Sequence, residues 1–322
     1  MLFCAILRVV LVLLMSTTNI AQATKRIRDK SEEQEVRACA ICGATQWRAV
    51  FPQHLRWLHE CTGCGVRRVY PPTDQSCLEA IYNDEYFVRF GATSGLSPYS
   101  AMKLDNARRY FKTIKATASS GKLLDIGCGL GETLWGGLEA GWRVHGIDRN
   151  ERAVEACNSI VPGCATLLDW EACDWPPESL NLVTFCDVIE HLARPEAAFR
   201  KAWGALMSGG VLFVTTPDVS SFFARLFGYR WWHYHIDHLW YFSRSTLSRM
   251  AQDAGFEVIS CSPTRKSFTL DYIFNTIGNS EEHVFGKLVC RGLVSCVPKP
   301  LLAWRLPGIT EGITLVARKV DK

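Results

Sequence analysis

The sequence predicts an α/β fold with a doubly wound sheet, preceded by a small cysteine-bearing module. Two observations lead to this prediction. Short apolar runs of strand length alternate with helical segments between residues 122 and 260. Ahead of them stand two Cys-x-x-Cys pairs, at 39–42 and 61–64. The chain has 322 residues, of which 48% are hydrophobic, so it can bury a substantial core.

The charge balance bears on whether the protein binds nucleic acid, and the cysteine content bears on the redox compartment in which it works. The 36 basic and 32 acidic residues give a net charge of +4, which is too balanced to indicate a nucleic-acid partner, and none is expected. Fourteen cysteines in a chain of this length indicate buried thiols and metal ligands in a reducing compartment. The expected location is therefore cytoplasmic.

The first 36 residues divide into two parts. Residues 1–23 are apolar up to Met15 and end in Ala21-Gln22-Ala23, which resembles a signal-peptidase site. Arg8 interrupts the apolar run, which is too short to span a bilayer as a helix. Three interpretations stay open for this segment: a weak anchor, a signal, or an extension from an upstream start codon. Residues 24–36 are charged and read as a linker.

The two Cys-x-x-Cys pairs predict a zinc-binding module over residues 37–72. Each pair can present two sulfurs to one tetrahedral ion, and Gly43 and Gly65 follow the pairs so that the backbone can turn tightly. Four thiolates close the coordination sphere, which indicates a structural ion rather than a catalytic one. The alternatives are two disulfides or a module that has lost its metal. The predicted ligands are Cys39, Cys42, Cys61 and Cys64.

The segment KLLDIGCGLGETL at 122–134 organises the second part of the chain. An apolar strand, Leu123 to Ile126, leads through glycines 127, 129 and 131 into a helix that starts at Glu132. Such a turn makes a pocket lined by backbone N–H groups, and glycine leaves room for a ligand to approach the main chain. Its spacing departs from the dinucleotide fingerprint and the P-loop, and a purely connecting turn is the alternative.

The pattern Asp-x-Gly-x-Gly-x-Gly at 125–131 resembles the first motif of the class I S-adenosylmethionine (AdoMet) methyltransferases. This resemblance implies a Rossmann-like, seven-stranded, mostly parallel sheet over 73–322, with AdoMet as cofactor and an antiparallel last strand at 313–320. Asp148, about 20 residues past the loop, can accept hydrogen bonds from ribose hydroxyls, or it caps a helix. The family implies that Asp169 and Trp170 meet the adenine. The expected cofactor-binding set is Asp125, Gly127, Cys128, Gly129, Gly131, Asp148, Arg149, Asp169, Trp170 and Asp187.

Polar residues follow the fourth predicted strand. Asp187, Glu190 and His191 are spaced so that their side chains should share one side, and Asp237-His238 comes later. The cluster resembles the ubiquinone-pathway O-methyltransferases, a methyltransferase-23-like group, and the small-RNA 2′-O-methyltransferases. The last of these implies Mg²⁺ beside the acceptor, held here by Asp187, Glu190, His191 and His238. His191 acting as a metal-free general base, and a mainly structural role, are the alternatives.

Three further segments carry predictions. The resemblance to methyltransferases implies that residues 78–87 lie over the cofactor as a lid. The aromatic residues of 219–242 are expected to cap the acceptor pocket, with core packing as the alternative. An insertion is predicted at 263–312, whose basic section 284–307 forms either an interfacial helix pair on an anionic membrane or a hairpin packed on the sheet.

Together these patterns predict methyl transfer from AdoMet to a small-molecule, sugar or lipid-linked acceptor, at a hydroxyl. Two other classes are weighed against it. One is a non-catalytic AdoMet-fold protein that binds a partner through the zinc module. The other is a nicotinamide-dependent oxidoreductase, which the absence of Gly-x-Gly-x-x-Gly disfavours. The sequence makes no prediction of oligomeric state.

Overall fold

The computed structural model describes residues 38–53, 56–70, 98–118, 120–172, 174–270, 301 and 305–320. The strands in these residues are β1 (Trp47–Gln53), β2 (Arg56–Cys61), β3 (Arg67–Tyr70), β4 (Lys122–Ile126), β5 (Arg143–Asp148), β6 (Ala165–Leu167), β7 (Leu180–Cys186), β8 (Leu206–Pro217), β9 (Trp240–Tyr241), β10 (Phe256–Thr269) and β11 (Arg305–Lys319). The α-helices are α1 (Pro98–Ile114), α2 (Glu132–Glu139), α3 (Glu151–Ile160), α4 (Pro195–Ala205), α5 (Phe222–Phe227) and α6 (Arg244–Asp253).

The larger sheet has seven strands in the order β10-β11-β8-β7-β4-β5-β6. Strands β6, β5, β4, β7 and β8 pair in parallel, whereas β11 runs antiparallel to both β8 and β10. The order reverses at β4, so the carboxyl ends of β4 and β7 border the crevice where open sheets bind ligands. The predicted doubly wound sheet with an antiparallel last strand is confirmed.

The sheet core follows from the composition of its central strands. Four of the five residues of β4 are buried, and Leu182, Val183 and Phe185 of β7 are fully buried. Continuous apolar runs of this kind are typical of parallel strands covered on both faces. Helix α2 approaches α1 closely because Gly136 lacks a Cβ, which would lie 3.0 Å from the Cβ of Ala107.

The hairpin of β10 and β11 corrects one predicted boundary. The sequence predicted that the strand-length apolar runs end at residue 260, with an insertion at 263–312 and a last strand at 313–320. In the structure the two strands stay paired from Phe256↔Lys319 to Thr269↔Arg305. The added pairs bury hydroxyl side chains, since Thr264, Ser267 and Thr269 are at most 4% exposed. Because these buried residues are polar, the pattern of apolar residues in the sequence does not reveal this part of the strand.

The smaller sheet joins the two parts of the chain. Its order is β1-β2-β3-β9, so its last strand comes from the aromatic segment 219–242 and not from the cysteine module. Trp231 and Tyr241 of that segment pack with Leu58 and Val69 of the module in one buried cluster. Core packing thus accounts for these aromatic side chains, whereas Phe222 is 71% exposed.

Several predicted features lie outside the described residues. These are the apolar segment 1–23, the linker 24–36, the lid at 78–87 and nearly all of the basic section 284–307. In the part of the chain that the structure describes, no helix combines the length and apolar character needed to cross a membrane.

Candidate active site

The glycine turn after β4 forms an open cradle. Gly127, Gly129 and Gly131 all have positive φ, at 66°, 52° and 87°. A Cβ on Gly127 would lie 2.6 Å from Val188, and one on Gly131 would lie 2.9 Å from the sulfur of Cys157. A Cβ on Gly129 would meet no atom within 4 Å. Gly127 and Gly131 therefore shape the turn, while Gly129 borders open space of the kind that a ligand fills.

Two carboxyl groups flank this cradle, as predicted from the strand ends. Asp125 is buried and accepts a hydrogen bond of 2.5 Å from the hydroxyl of Thr184, and burial raises its pKa to about 7. Asp148 accepts hydrogen bonds from the backbone N–H groups of Gly129 and Asn150, each at 2.9 Å. Asn150, and not Asp148, caps α3. The carboxylate of Asp148 therefore connects the cradle to the end of β5.

The remaining cofactor-binding predictions occupy different environments. Cys128 is buried, and its sulfur lies 3.8 Å from that of Cys157 on α3. Its side chain therefore packs the glycine turn against that helix. Arg149 is exposed beside Asp148. Asp169 accepts the backbone N–H of Glu171 at 2.8 Å. Trp170 is only 3% exposed and packs against Phe185, so its ring lies in the core and offers little free surface for stacking on adenine.

Glu190, His191 and His238 come together beyond the end of β7. Glu190 and His191 belong to a 3₁₀ turn at Ile189–His191, and one potential ligand atom from each of the three side chains lies within 4.8 Å of the others. The rings of His191 and His238 meet edge to face, with centroids 4.6 Å apart. Oε1 of Glu190 and Nδ1 of His238 are buried and have no hydrogen-bond partner among the described residues.

Two neighbours orient this cluster. Nδ1 of His191 lies 3.1 Å from the carbonyl oxygen of Asp237 and 3.6 Å from its carboxylate. Because a carbonyl only accepts, Nδ1 carries the proton, and Nε2 is the basic nitrogen. Thr216 donates its hydroxyl to Glu190 at 3.0 Å, while burial raises the pKa of Glu190 to about 7. Asp237 and Thr216 were not among the predicted site residues.

Asp187 does not join this cluster, which corrects the predicted four-residue set. Its backbone is left-handed, with φ of 58°, and its carboxylate forms an ion pair with Lys266 at 2.5 Å. Desolvation alone would raise the pKa of Asp187, but the neighbouring Lys266 ammonium lowers it. A helical offset between Asp187 and Glu190 is lost because the chain turns sharply at Asp187. Lys266 lies in the stretch predicted as an insertion, so no sequence signal pointed to it.

The four module cysteines form a compact set. The sulfurs of Cys39 and Cys64 are 3.7 Å apart and those of Cys42 and Cys61 are 3.5 Å apart, and all four thiols are free. A tetrahedral site with zinc–sulfur bonds of about 2.3 Å would separate its sulfurs by about 3.8 Å. Gly43 and Gly65 have φ of 75° and 79°, as tight turns after each cysteine pair require. The donor set therefore fits zinc.

Comparison with known proteins agrees with this geometry. Residues 102–261 match a family model described as a methyltransferase domain. Two curated ubiquinone biosynthesis O-methyltransferases are similar: that of Azoarcus sp. strain BH72 is 27% identical over 155 residues, 44% of this chain, and that of Idiomarina loihiensis is 29% identical over 101 residues, 30% of this chain. The aligned parts span 66% and 42% of these relatives' own lengths.

A solved structure supports the same fold. A Bacillus halodurans C-125 protein described as a methyltransferase is 18% identical, with a TM-score of 0.50, over 66% of this chain and 99% of its own. The fold and the cradle define a class I AdoMet-dependent methyltransferase domain. The match of residues 102–261 to a methyltransferase-23 model agrees with the resemblance seen in the glycine motif and the Glu-His pair.

Proposed function

We propose that this chain transfers the methyl group of AdoMet to a hydroxyl of a small-molecule, sugar or lipid-linked acceptor. The observation that carries the proposal is the Asp237–His191 pair beyond the end of β7, a strand that pairs directly with the cradle strand β4. The similarity to O-methyltransferases supports oxygen as the acceptor atom. AdoMet, when bound, supplies an electrophilic methyl group on a sulfonium.

The side chains suggest how the acceptor is activated. A neutral hydroxyl is a weak nucleophile, so its proton must leave as the new oxygen–carbon bond forms. Nε2 of His191 takes that proton, while the carbon–sulfur bond breaks and its electron pair stays on sulfur. Asp237 holds the imidazole in the required tautomer and stabilises the imidazolium that forms. Alignment of the two reactants supplies the rest of the rate enhancement.

Substitution of His191 tests this role. We expect His191→Gln to lower kcat by about 100-fold to 10,000-fold, because the base is lost. The affinity for AdoMet, measured by calorimetry, should stay unchanged. His145→Gln is the matched control, since His145 lies in the middle of β5 and contacts Thr166. Full activity of His191→Gln would refute the proposed base.

A divalent ion beside the acceptor is a second candidate, favoured by the two unpartnered atoms of Glu190 and His238. Two imidazoles and one carboxylate suit Mn²⁺ or a similar transition ion better than the Mg²⁺ predicted from sequence. The ion would lower the pKa of the acceptor hydroxyl. Activity lost in EDTA and restored by Mn²⁺, with zinc content unchanged, would support it. Unchanged activity in EDTA would exclude it.

The remaining proposals concern the setting of the enzyme. A structural zinc at the four cysteines fits a reducing cytoplasm, which also holds AdoMet. Peripheral membrane association would bring a lipid-linked acceptor within reach, and its sequence basis at 284–307 is tested by liposome flotation. A partner-binding, non-catalytic protein and a nicotinamide enzyme are weaker alternatives, because residues 102–261 match a methyltransferase domain.

A further inference from the structure

The cysteine module contacts the loop that carries the acceptor-side residues. This loop, residues 234–239, includes Asp237 and His238 and leads directly into β9. The amide of Gln53 donates to the carbonyl oxygen of His235 at 2.9 Å, and the guanidinium of Arg56 donates to that of Ile236. Gln53 is 4% exposed and Arg56 is 8% exposed, so both contacts are shielded from water.

Backbone hydrogen bonds continue this connection into the site. The N–H of Val69 in β3 donates to the carbonyl oxygen of Leu239 at 3.0 Å. The N–H of Leu239 donates in turn to the carbonyl oxygen of Glu190 at 2.9 Å. A single residue, Leu239, therefore connects β3 of the module's sheet to the 3₁₀ turn that carries Glu190 and His191.

The ring of His238 packs against the rings of His191, His235 and Tyr241, and its position also depends on this backbone. Its Nδ1 atom has no hydrogen-bond partner among the described residues. The backbone N–H of His238 is bonded to the carbonyl oxygen of His235, which Gln53 also holds. A shift of the loop would therefore move His238 and Asp237 away from Glu190 and His191. Catalysis requires that surrounding contacts hold each catalytic side chain within about 0.5 Å of its productive position.

We propose that the cysteine module is a platform for the acceptor side of the active site, with Gln53 and Arg56 as positioning residues for the loop 234–239. The alternative is that the module only adds general stability or binds a separate partner. The proposal rests on the proposed function for its catalytic consequence, although the positioning itself is measurable without any methyl acceptor.

Hydrogen exchange of the full chain tests the positioning. In Arg56→Met, and separately in Gln53→Met, amides of residues 235–239 should exchange at least tenfold faster than in the wild-type protein. Amides of β4 should be unchanged, because that strand lies in the other sheet. Arg48→Met is the matched control, since Arg48 is on the same module, is 69% exposed and pairs with Glu60 instead.

Two outcomes overturn the proposal: unchanged exchange at 235–239 in both variants, or an equal rise in 235–239 and in β4. If Arg56→Met does not fold, hydrogen exchange at 235–239 in Gln53→Met and Arg56→Lys tests the proposal by the same criteria. With an acceptor in hand, both Met variants should lower kcat at least tenfold with unchanged AdoMet affinity. A wild-type protein that transfers no methyl group would refute the proposed function and leave the exchange result standing.

Discussion

At the scale of single residues, Glu311 shows how burial changes a carboxyl group. Its side chain is 4% exposed, Oε2 accepts the indole N–H of Trp231 at 2.8 Å, and Oε1 has no partner among the described residues. Burial raises the pKa of Glu311 from 4.5 to about 7. Folding therefore favours the protonated form of this residue over the ionised one.

The pH dependence of stability follows from that shift. Below pH 4.5 Glu311 is protonated in both states, so its full contribution is present. Between pH 4.5 and about 7 the unfolded chain releases the proton while the folded protein keeps it, so stability falls as pH rises.

We expect Glu311→Gln to be about as stable as the wild-type protein at pH 4.5 and about 1–3 kcal/mol more stable at pH 8. Glutamine keeps an oxygen for Trp231 and cannot ionise. Urea unfolding at both pH values measures the difference. The exposed Glu257 provides the control variant Glu257→Gln. An equal pH dependence in Glu311→Gln and the wild-type protein would contradict the account.

Lys266 and Asp187 allow a second residue-scale test. The ammonium is 17% exposed and the carboxylate is 45% exposed, so water screens the pair in part. Lys266→Met and Asp187→Asn should each destabilise the protein, and the double variant should be less destabilised than the sum. A double-mutant cycle by chemical denaturation is expected to give a coupling of about 1–2 kcal/mol. A coupling near zero would mean that the two groups do not interact in solution.

At the scale of elements, we expect the cysteine module to depend on a bound zinc ion for its stability. Its three strands bury few large apolar residues of their own, and Leu58 and Val69 pack against the 219–242 segment. Small modules of this kind obtain much of their stability from the ion.

We expect one zinc per chain by elemental analysis, lost in Cys42→Ser and retained in the control Cys261→Ser. Removal of zinc by a chelator should lower the unfolding temperature by about 5–10 °C. A chain that purifies folded with oxidised module cysteines and no zinc would contradict the expectation.

Element boundaries were predictable where apolar residues mark them. The strands β4 and β7 carry buried apolar runs, and the glycine turn after Ile126 ends β4 sharply, so the sequence located both strands well. The ends of β10 and β11 were missed because buried threonine and serine replace apolar residues there. The pairing of β9 with β3 was also missed, since a two-residue strand carries no periodic signal.

The sequence predicted the site residues that lie near strand ends, but it did not predict those that depend on tertiary contacts. The glycine cradle, Asp148 and the pair Glu190–His191 lie at the carboxyl ends of strands or within a few residues of them, so their order in the chain located them. Asp187 was assigned to the wrong set, because its left-handed backbone and its partner Lys266 are tertiary features.

At the scale of the whole molecule, three separate stretches of chain converge on one edge of the large sheet. The cradle follows β4, the Glu190–His191 turn follows β7, and the loop with Asp237 and His238 is held against the cysteine module. The contacts of this loop with the cysteine module are the basis of the positioning role that we propose for the module.

The central claim is that the cradle binds AdoMet, and calorimetry tests it most directly. We predict saturable binding of AdoMet to one site per chain, weakened at least tenfold in Gly129→Ala, where a methyl group enters the open space. Gly209→Ala should bind normally, because Gly209 has a similar φ of 74° but lies at the other end of the sheet, near the start of β8. No heat of binding with well-folded wild-type protein, for AdoMet or S-adenosylhomocysteine, would contradict the claim.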